Sequence, residues 1–336
     1  MIRVAINGFG RIGRIAFREM ITGRDFDIVA VNDLSNAEEL AYLLKYDTNH
    51  RSFHEDEISF DNDNIVIAGK KRVKVLSEAD PSKLPWGDLN IDVVLECSGR
   101  FTKYEDAYKH ITAGARHVVI SAPGKGDMKT IVYGVNDNIL DGSEEVISAA
   151  SCTTNCLAPV LNVIEKNIGI RKGYMSTVHA YTNDQATLDI HHSKGIMARR
   201  GRACAQNIVP ASTGAASAIG KVIPSLLGKM DGMAFRVPVS CGSVVDLTLE
   251  LEKDVSKEEL NDLLRNNQSE ALRVCEDPIV SSDVLGKKCG ALVDLLSTNV
   301  LETEAGNLVK VVAWYDNEMG YTAQMLRTAK ALIKEK

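Results

Sequence analysis

The chain of 336 residues contains no run of about 18 consecutive apolar residues and opens without a charged-then-apolar leader. A membrane span and a secretory signal are therefore not expected, and the sequence reads as that of a soluble, cytoplasmic protein. Nor is there a surplus of positive charge: 39 basic against 45 acidic side chains leave a net charge of −6. That balance removes the general attraction that draws basic proteins to nucleic acid or acidic membranes, so neither is expected as a primary partner. The seven cysteines (97, 152, 156, 204, 241, 275, 289) are an odd and scattered set, as in a reducing compartment. Zinc wants two close pairs of Cys or His. Cys152 and Cys156, and the adjacent His191 and His192, have no evident partner pair, and no metal is expected. Internal repeats and low-complexity segments are absent as well. What remains, 45% apolar, is long enough for two domains with their own cores.

The first stretch with a recognisable chemistry lies at the start. Arg3 to Ile6 read as a short strand, Asn7 leads into Gly8-Phe9-Gly10-Arg11-Ile12-Gly13, and the helical run Ile15, Phe17, Met20, Ile21 follows. This is the dinucleotide fingerprint in its strand-turn-helix context: Gly8 for the tight turn, Gly10 for close approach of a pyrophosphate, Gly13 for helix-on-strand packing. Ile28 to Val31 form the next strand, ending in Asn32 and Asp33. A carboxylate about 20 residues past the last glycine accepts hydrogen bonds from ribose hydroxyls and repels a 2′-phosphate, so NAD is preferred over NADP. A helix from Ala37 to Leu44, a meander of strands over 58–76 turning at Gly69-Lys70, breaks at Pro81 and Pro85, and strands at 93–97 and 118–120 around a helix over 105–113 complete this half. Ser98, Gly99, Ser121 and Ala122 follow strand ends and are placed to line a cofactor cleft, or are ordinary turn residues.

Near the midpoint, Ser151-Cys152-Thr153-Thr154-Asn155-Cys156-Leu157-Ala158-Pro159 hands over to the helical pattern of Val160, Leu161, Val163 and Ile164. A cysteine at a helix N-terminus is offered free N–H groups and the positive end of the helix dipole, which depress a thiol pKa and make Cys152 a candidate nucleophile. Burial as a small apolar residue is the alternative. Beyond Lys172 long alternating segments dominate (174–178, 233–237, 243–251, 308–313), with helices at about 212–222 and 256–267. The fold class expected is α/β: a Rossmann-type dinucleotide-binding domain over 1–150, completed by the C-terminal helix 319–336, and an α+β catalytic domain over 151–318 with a largely antiparallel sheet. The strand 174–178 delivers His179, a residue type that activates a thiol and relays its proton. Whether the two meet in space does not follow from their spacing.

Gly8 to Gly13, Ser151 to Pro159, His179 to Gln185, Pro210 to Ala216, and Trp314-Tyr315-Asp316-Asn317-Glu318 occur in the order found in phosphorylating glyceraldehyde-3-phosphate dehydrogenases, which the chain resembles from end to end. The resemblance implies that Cys152 attacks the aldehyde of glyceraldehyde 3-phosphate, that His179 activates the thiol, and that hydride leaves to NAD. The resulting thioester is then cleaved by inorganic phosphate to give 1,3-bisphosphoglycerate. It assigns Thr182 and Arg236 to the substrate phosphate, and Ser151, Thr153, Arg200, Thr213 and Gly214 to the attacking phosphate. Gly8, Gly10, Arg11, Ile12, Gly13, Asp33, Ser121 and Asn317 match the family's NAD contacts, with Asn317 on the nicotinamide carboxamide. A homotetramer is implied too.

The chain departs from the family pattern at Ala149, where Asn is usual, at Ala79, often Arg beside the adenine, and at Met319, a frequent Trp. The loop 189–197 looks long, with His191 where proline is common, which loosens the expectation of exclusive NAD use. Rival readings are erythrose-4-phosphate dehydrogenase, whose members tend to lack Tyr181-Thr182-Asn183-Asp184, a cysteine hydrolase or acyltransferase, which would not need Asp33 or the glycine fingerprint, and a binding protein on the same fold.

Overall fold

A computed structural model describes residues 1–193, 195–304 and 306–333. Lys194, within the unusual loop, and residues 334–336, the expected end of the C-terminal helix, lie outside the described residues.

The elements run β1 (Ile2–Asn7), α1 (Arg11–Thr22), β2 (Phe26–Asn32), α2 (Ala37–Lys45), β3 (Ile58–Asp61), β4 (Asn64–Ile67), β5 (Lys71–Leu76), β6 (Val93–Glu96), α3 (Tyr104–Ala107), α4 (Lys109–Thr112), β7 (His117–Ile120) and β8 (Val146–Ser148). The second half continues with α5 (Cys152–Asn167), β9 (Ile170–Ala180), β10 (Val209–Ser212), α6 (Ala215–Val222), β11 (Met230–Val237), β12 (Ser243–Leu251), α7 (Lys257–Asn266), β13 (Leu272–Cys275), β14 (Ala291–Asp294), β15 (Asn299–Leu301), β16 (Leu308–Tyr315) and α8 (Met319–Leu332). The chain clusters into two compact units. One comprises Met1–Tyr133, Asp137–Ser151 and the segment from Thr322; the other comprises Gly134–Asn136 and Cys152–Tyr321.

In the first unit the sheet order is β3-β4-β5-β2-β1-β6-β7-β8. From β5 to β8 every neighbouring pair is parallel, and the β3-β4-β5 meander closes one edge antiparallel. The central strands are buried on both faces, which is why Val4 to Ile6 and Val93 to Leu95 read as unbroken apolar runs. Successive connections leave β1 in opposite directions, to β2 on one side and β6 on the other, so a crevice opens beyond its carboxyl end. Met325, Leu326, Ala329 and Leu332 of α8 belong to the same buried cluster as Val4, Ile6, Phe17 and Leu40. The helix expected over 105–113 is two short helices, α3 and α4, joined through a helical Tyr108.

The sheet of the second unit runs β10-β11-β9-β12-β16-β14-β13, with β15 on β16. It is largely antiparallel, the exceptions being β11 with β9 and β13 with β14. The alternation of β12, buried at every second residue, is that of a sheet with one face on the core. α7 is fixed at its start by Ser256, whose hydroxyl accepts the Glu259 N–H while the Glu259 carboxylate accepts the Ser256 N–H. The central strand β9 carries His179 next to its last residue.

Candidate active site and nucleotide cleft

The chain enters the thiol site through a constrained turn. Ser148, ending β8, donates through Oγ to Ala122 O (2.7 Å) and accepts the N–H groups of Gly124 (3.0 Å) and Ala150 (3.1 Å). Ala150 is then in the left-handed region, φ 59°, and Cys152 is the first residue of α5.

Cys152 Sγ lies 3.4 Å from His179 Nε2. The far side of the ring is equally fixed: His179 Nδ1 is 2.6 Å from Ala180 O, and Arg236 Nη1 lies 3.0 Å from Nδ1, 3.1 Å from Ala180 O and 3.0 Å from Thr182 Oγ1. The Arg236 amino group has a pair of hydrogens, which Ala180 O and Thr182 Oγ1 accept, and a carbonyl cannot donate, so the Nδ1–H donates to Ala180 O. Nε2 is left without a proton and faces the thiol. Burial, and behind it the charge of Arg236, lowers the His179 pKa to about 3, so the ring is neutral. The depressed thiol pKa expected from the helix N-terminus is not what the structure holds. Burial pushes the Cys152 thiol up, outweighing the opposing pull of Arg236 and of Thr153. A neutral thiol thus faces a neutral, correctly aimed base.

Beneath this pair runs a chain of hydroxyls. Thr153 Oγ1 is 3.0 Å from Tyr315 OH, Tyr315 OH is 2.8 Å from Thr177 Oγ1, and Thr177 donates to Val244 O at 3.1 Å. Because the hydrogen of Thr177 goes to a carbonyl, Tyr315 donates to Thr177 and Thr153 donates to Tyr315. The Thr153 hydroxyl, 5% exposed, thus sits between Tyr315 and the Cys152 sulfur.

The other candidates for phosphate divide between two places. Thr182 accepts from Arg236 and donates to the Asp184 carboxylate, which also takes Arg200 Nη1. The Nε–H of Arg236 is buried with no acceptor among the described residues. Thr213 and Gly214 begin α6: Thr213 Oγ1 accepts the Ala215 N–H at 3.2 Å and Gly214, at the helix start, brings no side chain to cap it, a setting suited to an anion. Arg200 lines a cavity of about 740 Å³ with Tyr174, His192, Arg199 and Ser212. Ser151 immediately precedes Cys152. Asn317 Oδ1 accepts the Gly242 N–H (3.1 Å) and the Ser243 hydroxyl (2.9 Å), and Ser243 Oγ in turn accepts the Ala180 N–H (3.0 Å). The Asn317 amide is thereby oriented and tied to the residue after His179.

In the first unit a cleft of about 280 Å³ opens at the carboxyl ends of β1, β2 and β6, lined by Asn7, Gly8, Gly10, Asn32, Asp33 and Ser98, and rimmed by Leu34, Glu78, Ala79, Cys97, Arg100 and Phe101. Gly8 has φ +93°, and a Cβ there would lie 2.5 Å from Ser98 Cα, so only glycine fits. At Gly10 a Cβ would meet nothing within 4 Å, and α1 starts there without a side-chain cap. Open space in front of an uncapped helix start is what a pyrophosphate requires, and these residues fit a dinucleotide. Asp33 is held in place by the N–H groups of Phe9 (2.7 Å) and Ser35 (3.1 Å). Ile12 and Gly13 lie in the first turn of α1, and Ser121 follows β7 with its N–H on Glu96 O (2.9 Å). Arg11 differs from expectation in its side chain: the guanidinium is paired with Asp47, through both oxygens. Burial works against the Asp47 charge, but Arg11 and the His50 N–H hold its pKa at about 2. The charge of Arg11 is thus committed within the protein.

Sequence reasoning assigned no role to Tyr315, Thr177, Asp184 or Glu96. Tyr315 and Asp184 stood inside quoted motifs; Thr177 and Glu96 were visible as polar residues in apolar strands.

Residues 2–104 match the family described as glyceraldehyde 3-phosphate dehydrogenase, NAD binding domain, and residues 151–317 match the glyceraldehyde 3-phosphate dehydrogenase, C-terminal domain. Among similar proteins are glyceraldehyde-3-phosphate dehydrogenases of Clostridium acetobutylicum, 54% identical over 334 residues, Clostridium pasteurianum, 53% over 334, and Streptococcus pyogenes, 49% over 335, each covering 99% of both chains. A thiol-imidazole pair on one unit, a dinucleotide cleft on the other, and full-length similarity at this level place the chain in the glyceraldehyde-3-phosphate dehydrogenase family.

Proposed function

We propose that the chain is a glycolytic, phosphorylating dehydrogenase that converts D-glyceraldehyde 3-phosphate, NAD and inorganic phosphate to 1,3-bisphosphoglycerate and NADH. The observation that carries this reading is the Cys152 thiol 3.4 Å from an unprotonated His179 Nε2, with Arg236 on the other side of the same ring.

As the Cys152 sulfur bonds the aldehyde carbon, its proton passes to His179 Nε2 and on to the carbonyl oxygen, giving a hemithioacetal. The same nitrogen then takes the hydroxyl proton back as the carbon is oxidised to the thioester, and NAD, when bound, supplies the hydride acceptor. Phosphate oxygen attacks the thioester, the carbon–sulfur bond breaks, and the departing sulfur recovers its proton from His179. One base is thus used in each step, and it must be neutral at the start, as the low pKa of His179 makes it. The Cys152 N–H, at the start of α5, is suited to the developing oxyanion.

Arg236 and Thr182, already bonded to each other, are assigned to the substrate phosphate. Arg200, Thr213, Gly214, Ser151 and Thr153 are assigned to the attacking phosphate. Thr182 and Arg200 share the Asp184 carboxylate, which links the two phosphate assignments through one side chain. Gly8, Gly10, Arg11, Ile12, Gly13, Asp33 and Ser121 are assigned to NAD, Arg11 through its backbone, and Asn317 to the nicotinamide carboxamide through Nδ2. The domains proposed are NAD-binding, 1–150 with the C-terminal helix, and catalytic, 151–318. A cytoplasmic homotetramer is the proposed form. Ile196 and Met197 are 95% and 83% exposed, with Leu188 and Ile190 also bare in the same stretch of chain, apolar side chains suited to burial against another copy.

The test is NADH formation from glyceraldehyde 3-phosphate with and without inorganic phosphate, and with NADP in parallel. Turnover with NAD that requires phosphate is expected; turnover indifferent to phosphate, or absent, sinks the assignment.

A further inference from the structure

The carboxyl ends of the three central strands of the first unit carry three polar side chains in a row: Asn32 on β2, Asn7 on β1 and Glu96 on β6. The strand register makes Asn7 the direct neighbour of both, and the three are 4%, 3% and 1% exposed. Asn7 and Asn32 form part of the lining of the nucleotide cleft, as does Ser98, two residues past Glu96.

The direction of every hydrogen bond in this row is fixed from its ends. At one end the backbone of Glu78 orients Asn32: its N–H donates to Asn32 Oδ1 (2.9 Å) and its carbonyl accepts from Asn32 Nδ2 (2.8 Å). Asn32 Nδ2 also donates to Asn7 Oδ1 (2.7 Å), so Asn7 must turn its Nδ2 to Glu96 Oε2. At the other end the indole N–H of Trp86, which can only donate, gives to His110 Nδ1 at 2.9 Å. The His110 proton is therefore on Nε2, which donates to Glu96 Oε2 at 3.0 Å, and the ring is neutral. Glu96 Oε1 accepts the Ser98 N–H (2.8 Å) and the Ser98 hydroxyl. Ser98 Oγ also accepts the Arg100 N–H at 3.1 Å. Four donors thus converge on the two Glu96 oxygens.

Such a shell of donors is the one that a carboxylate requires. Among the described residues its one ionisable partner in ion-pair range is His110, which Trp86 keeps uncharged. A negative charge without a counterion thus underlies the cleft, one hydrogen bond away from Asn7 and Ser98 on its surface. NAD carries one unit of negative charge less than NADH, and a fixed negative charge shielded from water distinguishes them.

We infer that Glu96 is a determinant of cofactor redox-state preference, biasing this cleft toward oxidised and against reduced dinucleotide and so favouring release of NADH after each turnover. This rests on the cleft being the dinucleotide site.

Calorimetric titration of the full chain with NAD and with NADH measures the two dissociation constants. Absence of NAD binding by the wild type would remove the reading of the cleft itself. Glu96→Gln removes the charge at the cost of one hydrogen bond, since with the new amide turned to Ser98 the hydroxyl rotates to accept from it. The ratio of the NADH to the NAD dissociation constant is expected to fall by about threefold or more. Ser98→Ala, which keeps the charge, is expected to leave the ratio unchanged. Loss of packing alone would move both affinities together. An unchanged or increased ratio in Glu96→Gln therefore overturns the inference. If that variant does not fold, Glu96→Gln with Trp86→Phe, which frees His110 to accept at Nε2, is read against Trp86→Phe alone, with the same two outcomes.

Discussion

His179 combines a fixed tautomer with a pKa of about 3, and both have consequences. Replacing it with Asn removes the base facing Cys152, so kcat should fall by about 10²–10⁴-fold. The alkylation of Cys152 by iodoacetamide near neutral pH should slow as well; an unchanged alkylation rate would show that the thiol ionises without the ring. The linkage to stability has a definite sign. Below its ordinary value of 6.5 the unfolded chain binds a proton at His179, whereas the folded chain resists one until about 3. The residue therefore subtracts stability progressively as pH falls through that window and nothing above it. Thermal unfolding of wild type and His179→Asn from pH 7 to 5 should show the difference moving in favour of the variant as acidity rises, and a difference that does not change with pH contradicts this. Tyr315 is the other residue whose hydroxyl does more than fill space. Tyr315→Phe leaves Thr153 without its acceptor in a buried site, and about 1–3 kcal/mol of stability should be lost in denaturant unfolding.

At the scale of elements, the turn between β8 and α5 stores strain. Ala150 at φ 59° costs about 1–2 kcal/mol relative to the right-handed regions, held by Ser148 Oγ on its N–H. Ala150→Gly relieves the strain but loosens the unfolded chain by a similar amount, so unfolding should move little. Ala150→Val should destabilise by more than about 1 kcal/mol, because a β-branched residue tolerates the left-handed region least; equal unfolding midpoints for the two variants would remove the strain from the account. Elements differed in how far their residues announced them. β1, its glycine turn and α1 were legible because the fingerprint is local: each glycine answers a clash or an open space within one strand-turn-helix. The capping of α7 by Ser256 and the alternation of β12 are local in the same way. The partners of Tyr315 are not, lying 162 and 138 residues away in sequence: the pairing of β9, β12 and β16 brings Thr177 to it, and the packing of α5 on β16 brings Thr153. The thiol pKa was misjudged for a related reason. The helix N-terminus that depresses it can be read from nearby residues, whereas the burial that raises it comes from the assembled unit.

For the whole molecule, the apolar loop region is the feature that bears on the proposed assembly. Side chains as large as Ile196 and Met197 at 95% and 83% exposure each forgo about 1.5–3 kcal/mol of burial, and neighbours Leu188 and Ile190 are bare beside them. A second copy laid over this surface would recover that term, while the polar residues lining the adjoining cavity, Tyr174, His192 and Arg199, would supply directional contacts at its edge. Sedimentation of the wild type should give a tetramer. Ile196→Glu combined with Met197→Glu places like charges where copies would meet, and should shift the distribution to smaller species at micromolar concentration. The substitutions do not touch Cys152 or His179, so iodoacetamide should still alkylate Cys152 at a comparable rate in the smaller species. Retention of the tetramer in the doubly charged variant would mean that assembly uses another face, and that this loop stays open to solvent.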